Sequence, residues 1–388
     1  MSKMKLALVV LVCACVVIGF SLAGCTTTAT ATTAAAAAET TAAAAETTAA
    51  AAAETTAAAA ETTAAGPKTL RRVVLVLPRS LEVLDDAGIW SGVTMGYFAE
   101  QGLELIVQQS YGTTDMKMLA AGQAEFALPS PGFQMVGQDN ALPLKSIFQQ
   151  DTRQIFGFCV KAGSPIKKIE DLKGKTISLG DAAWDTIANQ FIVAAGLQIA
   201  DVKYVVGGES RAQMVDQGKA DAVLTWQKEF QLWDGQGLKF DYIDGEPYIP
   251  GCANSVVVTE KLLKEDPELI KAFGRAYAQS FYFVKLNPEA ATQIVLAKFP
   301  AIKLTFEQAL PAIKAFVYIT NDKDTESIGY GYHSIDEWNV NKKYMEMTGQ
   351  LKNPVDVTKL WTNDFVEYYN DFDHAKVEAD AKNFVLAK

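Results

Sequence analysis

The chain has 388 residues, with 35 basic residues, 45 acidic residues and a formal net charge of −10. This acidic balance argues against a nucleic-acid-binding protein and against electrostatic attachment to anionic lipid. The whole chain has only five cysteines and two histidines, so histidine-based zinc sites and Ser-His-Asp triads have few residues to use.

The first 24 residues have the pattern of a signal peptide. Lys3 and Lys5 form a short basic region, and an apolar run follows over residues 6–20. A run of about fifteen residues is shorter than the roughly 20 that a membrane-spanning helix needs. We therefore interpret residues 1–24 as a secretion signal and not as a transmembrane helix.

Cys25 closes the sequence Leu-Ala-Gly-Cys at residues 22–25, which resembles the lipobox of bacterial lipoproteins. In that family a peptidase cleaves before the cysteine, whose sulfur then carries a diacylglyceryl group. The resemblance implies that Cys25 is lipidated, and two or three acyl chains anchor a protein stably because each buried CH₂ contributes about 0.8 kcal/mol. The alternative is an ordinary secretory signal followed by a chance cysteine.

Residues 25–67 are a low-complexity tract in which Glu-Thr-Thr recurs between alanine runs. Apart from alanine the tract has no apolar side chain, so it has too little to bury to offset the entropy of ordering. We expect a partly helical or disordered tether, which would reach roughly 60 Å if fully helical.

The body begins near residue 70 with strands and helices in alternation. RRVVLVLP at residues 71–78 predicts a buried strand, and residues 87–102 have helical spacing. A strand at 103–110, a helix at 115–123 and a strand at 124–130 follow. This alternation of strands and helices predicts βαβ units with parallel strand pairing.

The same alternation of strands and helices begins again in the middle of the chain. TISLGD at residues 176–181 predicts a strand, and helix, strand, helix and strand follow at 182–197, 202–208, 210–219 and 220–227. Two rounds of this kind indicate two similar α/β lobes. Long amphipathic helices then follow, and their aromatic stripe is expected in the core; its members are Phe273, Tyr277, Phe281 and Tyr282.

Three blocks resemble periplasmic-type solute-binding proteins: GYFAEQGLEL at 96–105, MLAAGQAEFAL at 118–128 and IEDLKGKTISLG at 169–180. The group they resemble binds thiamine-pyrimidine precursors and has nitrate-, sulfonate- and riboflavin-binding relatives. Residues 329–365 resemble the C-terminal part of the pyrimidine-precursor binders.

The resemblance implies an α/β, two-lobe periplasmic-binding-protein fold of type II. Two crossover segments, near residues 158–163 and 250–255, would join the lobes. The expected organisation is a signal peptide at 1–24, a lipidated tether at 25–67, lobe 1 at 68–159 and 253–388, and lobe 2 at 160–252.

The implied function is that of an extracytoplasmic, lipid-anchored binding protein of an ABC importer. It would act as a monomer, capture a small heterocycle such as a thiamine pyrimidine precursor, and deliver it to the permease subunits. Riboflavin or a sulfonate- or nitrate-type anion is the alternative ligand. We expect no cofactor, metal or catalytic residue. A surface sensor is a further alternative. So is an enzyme resembling a eukaryotic pyrimidine synthase, although the cysteine cluster of that enzyme is missing here.

Ligands of open α/β sheets lie beyond the carboxyl ends of the strands, so the loops there are the candidate site. Thr113 and Thr114 offer hydroxyls to a polar ring substituent, or simply cap a helix. Ser130 lies between two prolines and either holds a ligand or serves the turn alone.

Trp90, Trp184 and Trp226 lie near strand ends or helix starts and would sandwich a flat ligand, unless they are core residues. The helix starts near them are acidic, with Asp85 and Asp86 in one loop and Asp181 and Asp185 in another.

Carboxylates at a helix N-terminus offset its positive end and repel an anion, although capping alone would also explain them. The acidic helix starts therefore favour a neutral or amino-bearing heterocycle over a sulfonate.

Cys159 and Cys252 are the cysteines of the body, and both fall in or beside the two implied crossover segments. Outside the cytosol a disulfide between them would persist, and it would limit how far the hinge lets the lobes open. Two buried free thiols are the alternative.

Overall fold

The computed structural model of the protein describes residues 69–81 and 83–386. The signal peptide, Cys25 and the whole tether fall outside the described residues, so those expectations stay predictions. Among the described residues, no helix combines the length and the apolar character needed to cross a bilayer.

Ten strands in the described part of the chain form two five-stranded sheets. The strands are β1 (Arg71–Leu77), β2 (Leu103–Gln109), β3 (Phe126–Ala127), β4 (Leu144–Gln149), β5 (Phe156–Lys161), β6 (Thr176–Leu179), β7 (Lys203–Val206), β8 (Ala222–Trp226), β9 (Phe240–Asp244) and β10 (Ser255–Thr259).

Both sheets combine parallel βαβ pairs with antiparallel neighbours. The first has the order β2-β1-β3-β10-β4, and β1 runs parallel to β2 and β3 while β10 runs antiparallel to β3 and β4. The second has the order β7-β6-β8-β5-β9, and β5 is antiparallel to β8 and β9. The antiparallel strands β5 and β10 are those by which the chain enters one lobe and returns to the other.

Fifteen α-helices in the described residues surround the sheets. They are α1 (Ala87–Met95), α2 (Tyr97–Glu100), α3 (Thr114–Ala120), α4 (Pro131–Asp139), α5 (Asp185–Ala194), α6 (Arg211–Asp216), α7 (Gln227–Gly235), α8 (Glu260–Glu265), α9 (Pro267–Leu286), α10 (Pro288–Lys298), α11 (Phe306–Thr320), α12 (Lys323–Ser327), α13 (Ile335–Met347), α14 (Val366–Asn370) and α15 (His374–Lys382).

The longest of these helices, α9, forms the centre of the first lobe's core. The Asp266 side chain caps it by accepting a hydrogen bond from the Leu269 amide, and a proline occupies its first turn. Phe273, Tyr277 and Phe281 are fully buried along one face, in agreement with their helical spacing.

The chain crosses between the sheets at residues 150–155 and again at 245–254. The two segments lie side by side: the amides of Gln150 and Asp151 donate to the Asn254 carbonyl at 3.2 and 3.0 Å. The first crossover therefore precedes its predicted place at residues 158–163. Most of those residues belong to β5, because the apolar run there pairs on both edges inside the second sheet.

Cys159 and Cys252 are free thiols, which corrects the hypothesis that they form a disulfide. Cys159 lies within β5 opposite Val223 and Tyr242. Cys252 packs in a separate apolar cluster and accepts a hydrogen bond from Asn341. Burial raises the pKa of both thiols, so both behave as small apolar groups.

His333 fastens the C-terminal segment to the first sheet. Its Nδ1 donates to Asn363 Oδ1 at 2.9 Å, its Nε2 accepts from the Ser146 hydroxyl at 2.7 Å, and its ring stacks on Trp361. The side chain is fully buried, and this burial lowers its pKa from 6.5 to about 3. The imidazole is therefore neutral in the folded protein.

We expect the free energy of unfolding to contain a pH-dependent contribution from His333. Because its folded pKa lies below the unfolded value, its stabilisation is complete above pH 6.5 and is lost as the pH falls towards 3, by up to about 1.4 kcal/mol per pH unit. Urea titrations of His333→Gln should give a shallower pH slope than wild type. The exposed His374→Gln is the matched control for the loss of an imidazole; a slope in His333→Gln no shallower than that in His374→Gln contradicts the assignment.

Candidate functional site

A cleft enclosing about 540 Å³ of space, open solvent at its mouth included, lies where the two lobes and the crossover segments meet. It opens beyond the carboxyl ends of β1 and β8, where ligands of α/β sheets bind. We call it the central cleft, and its lining residues are Pro78, Arg79, Asp85, Ser130, Phe133, Asp151, Ile155, Phe156, Trp184, Ile187, Leu224, Trp226, Lys228 and Asn254.

Four of the sequence-predicted site residues line the central cleft. Asp85 belongs to the loop after β1, and Ser130 immediately precedes α4. Trp184 comes from the second lobe just before α5, and Trp226 is the last residue of β8. Residues far apart in the sequence therefore converge, because each lies at or beyond the carboxyl end of a strand.

Trp90 does not line the cleft. It is buried in the core of the first lobe, where its ring meets Phe299 edge-to-face at 5.1 Å and Lys298 lies over its face at 5.1 Å. Its position on the inner face of α1, which packs against α9 and α10, explains the difference from the sequence-based expectation.

Thr113, Thr114 and Asp181 also lie outside the cleft lining. Thr114 begins α3, and Thr113 is the residue before it, with no side-chain capping bond. The Asp181 carboxylate accepts a hydrogen bond from the Ala183 amide at 2.8 Å and so caps a short 3₁₀ turn.

The loops that carry these residues meet at the rim of the two lobes. A Cβ atom on Gly112 would lie 2.8 Å from Asp181 Oδ1, so the two loops are in direct contact there. Beside them lies Tyr111, whose pKa is raised first by burial and second by the nearby Glu209 carboxylate. The lobes are therefore closed at this edge.

Trp184 and Trp226 meet edge-to-face, with ring centroids 5.9 Å apart and an interplanar angle of 68°. They are neighbours in one wall of the cleft and not two parallel plates. A flat ligand would lie against this wall instead of being sandwiched between these two rings.

Asp85 forms the main contact between the lobes inside the cleft. Its Oδ1 accepts a hydrogen bond from Trp226 Nε1 at 2.6 Å and lies 3.6 Å from Lys228 Nζ, and both partners belong to the second lobe. Its Oδ2 is buried with no hydrogen-bond partner among the described residues. One carboxylate oxygen thus holds the lobes together, and the other is left without a partner in the described part of the chain.

The charges around Asp85 do not balance. Lys228 also lies 3.7 Å from Asp151, and Arg79 pairs with Asp86, so two cations face three carboxylates. All five side chains are almost completely buried. Burial raises the pKa of Asp86 and of Asp151, against the opposing effect of the neighbouring cations. The cluster therefore favours a hydrogen-bond donor or a positive group as its next neighbour.

Ser130 contributes a second unsatisfied polar atom. It occupies the N-cap position of α4, yet its hydroxyl makes no capping bond and is buried without a partner in the described part of the chain. Pro131 at the first helical position holds the turn in place without help from the side chain. Neither the helix cap nor the turn therefore uses this hydroxyl.

Sequence reasoning did not identify Arg79, Asp151 or Lys228. Arg79 lies two residues beyond β1, within reach of the strand-end rule, whereas Asp151 belongs to a crossover that was expected later in the chain. Lys228 follows the predicted Trp226 by two residues, but a lysine at a helix start usually faces solvent. Of these three residues, only Arg79 could have been predicted from the sequence, because it lies just beyond the end of a strand.

Comparison with known proteins identifies relatives. A family model described as NMT1/THI5 like matches residues 85–291. The riboflavin-binding protein RibY of Chloroflexus aurantiacus is 25% identical over 77% of this chain and 87% of its own length. The formylaminopyrimidine-binding protein of Halalkalibacterium halodurans is 26% identical over 57% of this chain and 71% of its own.

More distant sequence relatives include enzymes. A 4-amino-5-hydroxymethyl-2-methylpyrimidine phosphate synthase of Saccharomyces cerevisiae, THI12, is 21% identical over 72% of this chain and 84% of its own. The activity in this name is that of the yeast protein and is not carried over to this chain.

Among solved structures, the periplasmic sulfonate-binding protein SsuA of Methylobacillus flagellatus KT superposes with a TM-score of 0.57 at 16% identity. The superposition covers 80% of this chain and 96% of that one. At this identity the likeness concerns the fold alone. It confirms the expected two-lobe α/β fold of periplasmic binding proteins.

Removing the buried cation should destabilise the protein more than removing an exposed one. Lys228→Met leaves Asp85 and Asp151 without their shared partner, so we expect a loss of about 3–5 kcal/mol in the free energy of unfolding. Guanidinium denaturation measures it, with the exposed Lys203→Met as control at less than about 0.5 kcal/mol. Equal losses in the two variants would contradict the cluster's role.

Proposed function

Since the chain belongs to the NMT1/THI5-like family, we propose that it is the solute-binding protein of an ABC importer and captures a small, flat heterocycle in the central cleft. The two lobes close over the solute and present it to the permease. No bond is made or broken, because closure itself is the mechanism.

The observation that carries this proposal is the unpartnered oxygen of Asp85 in an aromatic cleft. A ring N–H or amino group would donate to Asp85 Oδ2, and the Ser130 hydroxyl would satisfy a second polar atom of the ring. Phe133, Phe156 and Trp184 supply the apolar surface that a flat ring needs. An aminopyrimidine of the thiamine-precursor type has this combination.

The same cleft disfavours an anion. A sulfonate or nitrate would add negative charge to a buried cluster that already has one carboxylate in excess. Riboflavin is the second candidate, because its ring system also carries an N–H donor and a riboflavin-binding protein is among the relatives.

A binding role is better supported than catalysis. Two of the relatives described above are named as binding proteins. Within residues 69–81 and 83–386, no cluster of three metal-ligating side chains occurs. Cys159, Cys252 and His333 are not among the residues that line the central cleft.

Ligand titration tests the proposal. We expect micromolar binding of an aminopyrimidine or of riboflavin, accompanied by a change in tryptophan fluorescence because Trp184 and Trp226 line the cleft. Asp85→Asn should weaken aminopyrimidine binding by roughly 10- to 100-fold, the effect of losing a charged hydrogen bond.

Asp181→Asn is the matched control, since Asn caps a turn as well as Asp and Asp181 lies outside the cleft lining. It should bind like wild type. Tight binding of taurine or nitrate, with no response to any heterocycle, would refute the proposed ligand class.

We also propose that the protein is an extracytoplasmic lipoprotein, anchored to the cell membrane through Cys25. The lipobox-like sequence before Cys25 supports this, and the Ala/Thr/Glu tract would then give the lobes room to reach the permease.

Cys25→Ser should release the protein from the membrane fraction or leave its signal uncleaved, because the serine has no thiol to carry the diacylglyceryl group. Fractionation and intact mass measure this. A Cys25→Ser protein that stays membrane-bound at the normal mature mass would disprove the anchor. Cys159→Ser, in the buried core strand, is the control and should remain anchored.

A further inference from the structure

Asn254 is a polar residue of the central cleft to which neither the fold nor the charge cluster gives a role. It ends the second crossover, lines the cleft and is only 7% exposed. The charged side chains of the lining are held in the ion pairs around Asp85. Asn254 is neutral and takes no part in these pairs.

The backbone of Asn254 is fixed by the first crossover. Its carbonyl accepts hydrogen bonds from the amides of Gln150 and Asp151 at 3.2 and 3.0 Å, and from Gln149 Nε2 at 3.2 Å. Three donors on one carbonyl hold the residue in place. The position from which its side chain starts is therefore set by the hinge itself.

The side-chain amide of Asn254 is not used by the protein. All of its hydrogen bonds within the described chain go to the backbone carbonyl, whereas an asparagine in a turn usually bonds the nearby backbone through its side chain. Both amide atoms also keep accessible surface, since neither is among the side-chain atoms that are fully enclosed without a partner. A fixed, mostly buried amide without a partner costs free energy, and a ligand in the cleft removes that cost.

We propose that Asn254 is a specificity-determining residue whose side-chain amide binds a ring edge carrying a hydrogen-bond donor beside an acceptor. This inference rests on the proposed function and names the part of the heterocycle that is recognised. Oδ1 accepts from an amino group or a ring N–H, and Nδ2 donates to the adjacent ring nitrogen or carbonyl. Asparagine pairs with the edge of adenine by two bonds of this kind.

Paired ligands test the inference by calorimetry on the full chain. The pairs are 4-amino-2-methylpyrimidine with 2,4-dimethylpyrimidine and riboflavin with 3-methylriboflavin, and the second member of each loses a donor of the edge to a methyl group. Within the pair that binds, we expect wild type to prefer the first member at least about tenfold.

Asn254→Leu keeps nearly the volume of the side chain and removes both amide atoms. It should lower this preference about tenfold and change the affinity for the methylated ligand little. Because the amide makes no bond within the described protein, the urea midpoint of the unliganded variant should not fall below that of wild type.

Asn341→Leu is the matched control. Asn341 is 4% exposed and lies outside the lining of the central cleft, and its Nδ2 donates to the carbonyls of Cys252 and Glu337 at 3.0 and 3.2 Å. The fold uses this amide, so the variant should have a lower urea midpoint and keep the wild-type preference between the paired ligands.

The outcomes separate the inference from the proposed function. A ligand preference unchanged in Asn254→Leu would overturn the inference and leave the proposed function standing. So would a fall in the urea midpoint as large as that of Asn341→Leu, because the Asn254 amide would then serve the fold. If neither an aminopyrimidine nor a flavin binds to wild type, the proposed function fails and the inference fails with it.

Discussion

The buried charge cluster around Lys228 is the constraint on which the closed structure depends. Lys228 comes from the second lobe, Asp85 from the first and Asp151 from a crossover segment, and all three are shielded from water. Charges in such surroundings are tolerated only when they meet one another with suitable geometry. Closure of the lobes therefore brings the cluster together, and the same step gives the site its shape.

The cluster also explains why a solute would favour closure. In the closed lobes, Asp85 has one oxygen engaged by Trp226 and Lys228 and one without a partner, and the Ser130 hydroxyl is likewise unpaired. A closed but empty cleft leaves these groups unsatisfied, which costs free energy. A ligand that donates to Asp85 removes this cost, so binding energy and closure reinforce each other.

Sequence reasoning predicted the two α/β lobes because alternating strands and helices carry a strong periodic signal. It found Asp85, Ser130, Trp184 and Trp226 because the strand-end rule follows directly from the order of the strands.

The sequence-based prediction failed for Trp90, which lies on a helix and faces the core. One sequence does not reveal which face of a short buried helix points inward. Lys228 was not predicted from the sequence, and the reason is again physical. A lysine is buried only when tertiary partners supply its counter-charges, and these come from residues 77 and 143 positions away in the chain.

The contact between Gly112 and Asp181 has a kinetic meaning. With no side chain on Gly112, the backbone of one lobe reaches the carboxylate of the other directly, and no gap the size of a Cβ remains at that point of the rim. A solute bound in the cleft would then find no exit at this point of the rim, and its residence time would depend on opening of the lobes. In the proposed transport role, release of the solute would then depend on opening of the lobes and not on diffusion through this edge.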